Sequence, residues 1–179
     1  TGSSDELKII DITVEEKPTG EISASAGVGT SGSSIGAGIR ENNFLGRGIR
    51  LISNLTLSED SIKGIFSVIN PNFRNTDKSI YTTLEALEND KLTDFGYKTN
   101  RTGLAFGTNF EYYDDVRFGL GTSNYFEKIE TDSSASSRMK KQEGNYFDSF
   151  LKMDFDYDKR NQKFQTSDGF KSYYSLDLP

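Results

Sequence analysis

The stretch Leu151-Lys-Met-Asp-Phe-Asp-Tyr-Asp158 decides the fold. Leu151, Met153, Phe155 and Tyr157 alternate with Lys152, Asp154, Asp156 and Asp158, a period of two that separates into two faces only on a β-strand. One face is fit for an apolar medium and the other for water.

The same rhythm continues on either side. Downstream, Phe170, Tyr174, Leu176 and Leu178 are set against Lys171, Ser175 and Asp177. Upstream lies a polar, Ser-rich segment, residues 131–144, which reads as a long mobile loop. Beyond it Val116, Phe118 and Leu120 follow a short turn at Asp114 and Asp115, and Leu104, Phe106, Phe110 and Tyr112 oppose Gly103, Asn109 and Glu111. A less regular run covers residues 79–88. Ile62, Phe66 and Val68 oppose Lys63 and Ser67, and across a turn at Asp60 stand Ile49, Leu51, Leu55 and Leu57 with Arg50, Asn54 and Thr56. Two lighter runs, Ile22/Ala24/Ala26/Val28 and Ile35/Ala37/Ile39, are joined as a hairpin by a Ser/Gly turn over residues 30–33. Residues 8–16 form one more alternating run through Ile10, Ile12 and Val14, stopped by Lys17, Pro18, Thr19 and Gly20.

The spacing therefore predicts nine strands after Gly20. Several approach ten residues, enough to cross a membrane at the tilt of a barrel and more than the usual strand of about five or six. Phe44, Phe73, Tyr112, Tyr113, Tyr125 and Phe126 are candidates for interfacial girdles. The same alternation also serves a soluble β-sandwich, which remains open on periodicity alone. For a barrel, an odd count with no closing signal at Pro179 reads as a fragment whose remaining strands lie further on, since a barrel in lipid leaves no edge unpaired.

Composition narrows the chemistry. The 179 residues carry a net charge of −6, 34% are apolar, and there are 13 Phe, 9 Tyr and 17 Gly, a profile of sheets and turns. Cysteine and histidine are both absent, which removes disulfides, thiol nucleophiles, the usual zinc ligands and the commonest general base. The reading is of a non-enzyme that needs no cofactor and no metal. Acidic charge without a basic stripe disfavours nucleic acid. Gly27-Val-Gly29-Thr-Ser-Gly32 has the spelling of a dinucleotide loop, but a strand follows it where a helix is required. Asp154, Asp156 and Asp158 resemble the opening of a calcium loop, yet Lys159 and Gln165 stand where glycine and glutamate belong, so they read as a polar lumen wall. Asn54-Leu-Thr56 and Asn100-Arg-Thr102 match glycosylation acceptors but fall in or beside strands.

A group of motifs then occurs in one order along the chain. Val14-Glu-Glu-Lys-Pro-Thr-Gly20 precedes a Gly/Ser strand; Arg40-Glu-Asn-Asn-Phe-Leu-Gly-Arg-Gly48, Asn70-Pro-Asn-Phe73, Tyr157-Asp-Lys-Arg160, Phe164 and Thr166-Ser-Asp-Gly169 follow. Together they resemble the family of outer-membrane protein assembly factors typified by BamA. The resemblance implies that residues 1–19 are the last strand of a periplasmic POTRA domain with its linker, and that residues 20–179 are the N-terminal part of an antiparallel transmembrane β-barrel, about nine strands of roughly sixteen. It implies a place in the bacterial outer membrane with the N-terminal residues on the periplasmic side. The implied function is insertion of other β-barrel proteins, the partners being nascent outer-membrane proteins, the lipid, and accessory lipoproteins. A secretion or autotransporter-assembly pore of the same superfamily, or a passive channel, is the alternative.

In that family the first barrel strand is held weakly and templates client strands. Here its residues are Gly20, Glu21, Ile22, Ser23, Ala24, Ser25, Ala26, Gly27, Val28 and Gly29. Their small side chains add little to backbone hydrogen bonding, so the expectation is an edge that acts through its main chain. The alternative for these small residues is that they only ease curvature. For residues 42–48 a tight turn or bulge is the expected role.

Overall fold

The computed structural model describes residues 11–29 and 32–179. Nine strands form one sheet in chain order: β1 (Gly20–Gly29), β2 (Gly32–Phe44), β3 (Ile49–Ser58), β4 (Ser61–Asn70), β5 (Ser79–Lys91), β6 (Tyr97–Tyr113), β7 (Val116–Thr131), β8 (Gly144–Asp158) and β9 (Lys171–Leu178). Every neighbouring pair is antiparallel. Two one-turn helices, α1 (Leu92–Phe95) and α2 (Ser137–Lys140), and a single 3-10 turn sit in the connections.

The register shows why the alternation was needed. Tyr81, Gly107, Gly121, Lys152 and Asp177 are directly opposed across five strands and share a face with Arg40, Asn54, Lys63 and Asp154. The other face carries Ile22, Ile39, Leu55, Phe66, Leu84, Leu104, Leu120, Leu151 and Leu178. A slip of one residue in any pair would exchange the faces, so the register is set by the medium each meets. Nothing among the described residues covers the apolar face: Ile22 and Val28 are 82% and 89% exposed, and the one buried apolar side chain, Ala135, lies in a loop. Leaving so much apolar surface in water would forfeit roughly 25 cal/mol per Å2. A sandwich would pack this row on a second sheet, which the described residues do not supply, whereas a row left open fits a wall whose outer medium is lipid.

The observed strands differ from the expected runs at their ends. β6 and β7 are 17 and 16 residues long, continuing past Leu104 and Leu120 through Thr102, Asn100 and Lys98 and through Asn124, Lys128 and Glu130. The ladder persists there to Tyr97↔Thr131, but apart from Phe126 the outward residues are polar, so apolar periodicity gives little sign of it. Tyr125 is not part of an outer girdle; it shares the inner face with Gly103 and Asp148. Phe126, its neighbour, points outward and pairs with Phe147 at 4.8 Å between centroids.

In the loop after β7, Asp132 Oδ1 accepts from the Ser134 amide and hydroxyl at 2.7 and 2.6 Å, and the Asp132 amide donates to Gly96 O at 2.8 Å. Residues 11–19 form no strand. The alternating run expected over residues 8–16 has no partner in that stretch, and its first three residues lie outside the described ones.

Candidate functional site: the first strand and its edge

All ten predicted edge residues fall in β1, and all ten are exposed. β1 pairs with β2 without interruption from Gly20↔Glu41 to Gly29↔Gly32, and among the described residues β2 is its only strand neighbour. One further rung sets the hydrogen-bond phase: the Asn42 amide donates to Thr19 O at 3.1 Å. Antiparallel rungs alternate between those that exchange backbone bonds and those that do not. Counting from Thr19, the bonded residues are Glu21, Ser23, Ser25 and Gly27. The N–H and C=O groups of Ile22, Ala24, Ala26 and Val28 therefore point away from β2, toward the open side. These are also the residues whose side chains face lipid. Side-chain pattern alone carries no record of this phase, and sequence reasoning treated the ten residues as equivalent.

The β1–β2 contact is thin by construction. On the inner face Ser23 Oγ reaches Gly38 O at 3.5 Å. A Cβ on Gly36 would stand 2.6 Å from Ser25 Oγ, and one on Gly38 would stand 2.5 Å from Asn54 Oδ1 and 2.7 Å from Ser23 Oγ. The glycines thus receive serine hydroxyls, small polar contacts that add little to the ladder. The opposite half of the wall is heavily packed: the Arg101 guanidinium lies 3.8 Å from the Tyr125 centroid, and Phe118 meets Phe155 at 5.3 Å. Such pairs contribute about 0.5–1.5 kcal/mol each beyond area burial.

The acidic row of β8 serves cross-strand bonding. Tyr173 and Ser175 hydroxyls donate to Asp154 Oδ1, each at 2.7 Å, Lys171 Nζ to Asp156 at 2.9 Å, and Arg160 grips Asp158 with two bonds of 2.7 Å. No group of three or more metal-ligating side chains occurs among the described residues. Gly27 and Gly29 lie in β1 and Gly32 opens β2, the strand paired with it, where a dinucleotide needs a helix.

A meander with an apolar outer row, a charged inner row and no covering layer is the wall of a membrane-spanning β-barrel, present here in part. The chain belongs to the Omp85 superfamily, whose domain matches residues 43–178, and the outer membrane, home of that superfamily, agrees with the lipid-facing row. Among solved structures it is similar to BamA from Haemophilus ducreyi lacking POTRA domains 1–3, with a TM-score of 0.64 and 24% identity over 92% of this chain. The chain spans 35% of the length of that structure.

Proposed function

We propose that the barrel to which this chain contributes assembles and inserts other β-barrel proteins into the outer membrane, with β1 as the templating strand. The observation that supports this most directly is the make-up of β1: Ile22, Ala24, Ala26 and Val28 turn their backbone groups away from β2, and the small side chains of the strand leave little packing to hold any one neighbour on that side. An unsatisfied polar group there is costly by several kcal/mol. An incoming extended segment satisfies these groups by β-augmentation, with its own outward residues opposite them. The small side chains of Ala24 and Ala26 give a partner on the open side little packing beyond backbone bonds, so it can exchange. In this reading residues 1–19 close a POTRA domain, the Thr19 end of the sheet is periplasmic, the clients are nascent barrel proteins, and accessory lipoproteins attend the complex.

The outer apolar row supports a second element of the reading. It runs from Ile22 to Val28 on β1 but from Phe147 to Tyr157 on β8. At about 3.3 Å per residue and a tilt near 40° these rows span roughly 15 and 25 Å of membrane. The bilayer beside β1 is accordingly thinned, which lowers the barrier to insertion at that side.

Proline at Ala24 tests the templating edge, because it removes a donor on the open side. Proline at Ser25 instead removes a β1–β2 bond. In the full-length protein reconstituted in bilayers, Ala24→Pro is expected to slow assembly of an unfolded client barrel at least tenfold, with β2 amide protection retained. Client assembly at the unaltered rate in Ala24→Pro contradicts the reading.

A further inference from the structure

The turn between β2 and β3 holds more than itself. Its internal bonds are complete without Asn42: the Asn43 amide donates to Glu41 Oε1 at 2.7 Å, the Gly48 amide to Asn43 Oδ1 at 2.6 Å, and the Gly46 amide to Asn43 O at 2.9 Å. Leu45, Gly46 and Gly48 take positive φ to turn the chain. Asn42 points elsewhere. Both its backbone N–H and its side-chain Nδ2 donate to the carbonyl of Thr19, each at 3.1 Å.

The backbone bond continues the β1–β2 ladder one rung past Gly20↔Glu41. On the other side the β2–β3 register jumps from Glu41↔Leu51 to Phe44↔Ile49, so Asn42 and Asn43 have no rung on β3 and the Asn42 side chain reaches the Thr19 carbonyl instead. Glu41 lies close by: its Oε2 stands 2.8 Å from where a Cβ on Gly20 would be, so a larger first residue of β1 would have to move that carboxylate aside. Upstream of Thr19, residues 11–18 are exposed and outside any strand. Among the described residues the two bonds from Asn42 to the Thr19 carbonyl, with the Thr19 side chain hydrogen-bonded to the Glu41 carboxylate, are thus the last attachment of the incoming chain to the sheet.

We propose that Asn42 is a positioning residue: by clamping Thr19 with a two-donor grip it fixes the direction in which the upstream segment leaves the barrel wall and holds the Thr19 end of β1 on β2 while the rest of the edge exchanges partners. The second half rests on the templating reading; the first does not.

The test uses the full-length protein in bilayers, without client. These 179 residues hold no cysteine; with any cysteine elsewhere in the full-length protein replaced, spin labels at Glu15 and Asp77 report the upstream segment against the β4–β5 connection at the same end of the sheet. Asn42→Asp keeps the size and removes the side-chain donors. It is expected to broaden the distance distribution at least twofold and to speed exchange of the Glu21 and Ser23 amides at least tenfold, with heat-modifiable migration of the barrel unchanged. A cysteine pair at Thr19 and Asn42 occupies a bonded rung, where Cα atoms lie about 5.5 Å apart, within disulfide range. Its reduced form is expected to behave like Asn42→Asp, and its oxidised form to restore the narrow distribution and slow exchange. An unchanged distribution and unchanged exchange in Asn42→Asp and in the reduced pair would overturn the clamp and leave Asn42 a turn residue. Both readouts precede any client, so failure of templating would show only in the assembly assay.

Discussion

The ring of Tyr125 occupies the space that a side chain on Gly103 would need: an ideal Cβ at Gly103 stands 2.5 Å from both Cδ1 and Cε1 of Tyr125. The two residues are opposed on the inner face, and Arg101 stacks on the ring from beside Gly103. Absence of one side chain is what seats the other. Gly103→Ala must therefore displace the ring and the guanidinium with it. The expected loss is about 1–3 kcal/mol, the usual range for overpacking, read as a lowered urea midpoint of the barrel in a lipid bilayer. An unchanged midpoint would mean that the ring is not held where it is seen.

Tyr81 makes the same kind of contact with two glycines, and they differ. A Cβ on Gly121 would stand 2.5 Å from the Tyr81 hydroxyl and 3.2 Å from Phe106 O; one on Gly107 would stand 2.6 Å from that hydroxyl and 2.6 Å from Leu120 O. Removing the tyrosine relieves the first site but not the second, where backbone is in the way. In a Tyr81→Ala background, Gly121→Ala is expected to become nearly neutral while Gly107→Ala still destabilises. A double-mutant cycle checks this: the coupling should be about 1 kcal/mol or more for Tyr81 with Gly121 and clearly smaller for Tyr81 with Gly107.

Much of this wall is legible in the amino-acid order, and the parts that are not have physical reasons. Leu151 to Asp158 must be a two-faced strand because lipid and water each demand one face. Past Leu104 that demand fades on β6, where Thr102, Asn100 and Lys98 are polar on an extended ladder, and on β7 only Phe126 keeps the outward row apolar between Asn124 and Lys128. Tyr125 reads as a girdle residue from its position near Phe126, and only the register shows that it faces the glycine across the inner wall. The phase of β1 is a backbone property. Ile22 and Ala24 announce which way their side chains face, but it takes the Asn42–Thr19 rung to say which way their amides point. Ile12 and Val14 alternate as a strand does, yet a ladder needs a partner, and residues 11–19 contain none.

Opposite faces at adjacent positions give a direct optical test: these 179 residues contain no tryptophan, and any tryptophan elsewhere in the full-length protein is first replaced by phenylalanine. Phe126 is outward and 66% exposed, while Tyr125 lies on the inner face. Single reporters at Phe126→Trp and Tyr125→Trp, in bilayers of brominated lipid, are expected to be strongly quenched at 126 and only weakly at 125. Equal quenching would refute the assignment of faces.

Asp132 organises the β7–β8 loop through its carboxylate. The Ser134 hydroxyl, then the Ser134 amide, hold its pKa below the usual carboxylate value. A group with a depressed folded pKa stabilises the loop above its unfolded value, about 3.9, and that contribution is lost as pH falls through the lowered folded value. Amide exchange at Ser134 and Ala135, compared between Asp132→Asn and the parent at each pH, is expected to differ above about pH 5. The difference should vanish at pH values below the folded pKa. A difference that persists into strong acid would show that the carboxylate charge plays no part.

The most direct test of the account is pairing between β1 and a client strand in the act of assembly. These 179 residues hold no cysteine; with any cysteine elsewhere in the full-length protein replaced, single cysteines at each of residues 20–29 can be matched in bilayers against single cysteines along the last strand of an assembling barrel protein. The account predicts disulfides in an antiparallel ladder, each step forward on β1 moving the partner one step back, with Ile22, Ala24, Ala26 and Val28 opposite the client's lipid-facing residues. Client assembly at the full rate with no disulfide from any β1 position, or with partners that follow no register, would contradict it.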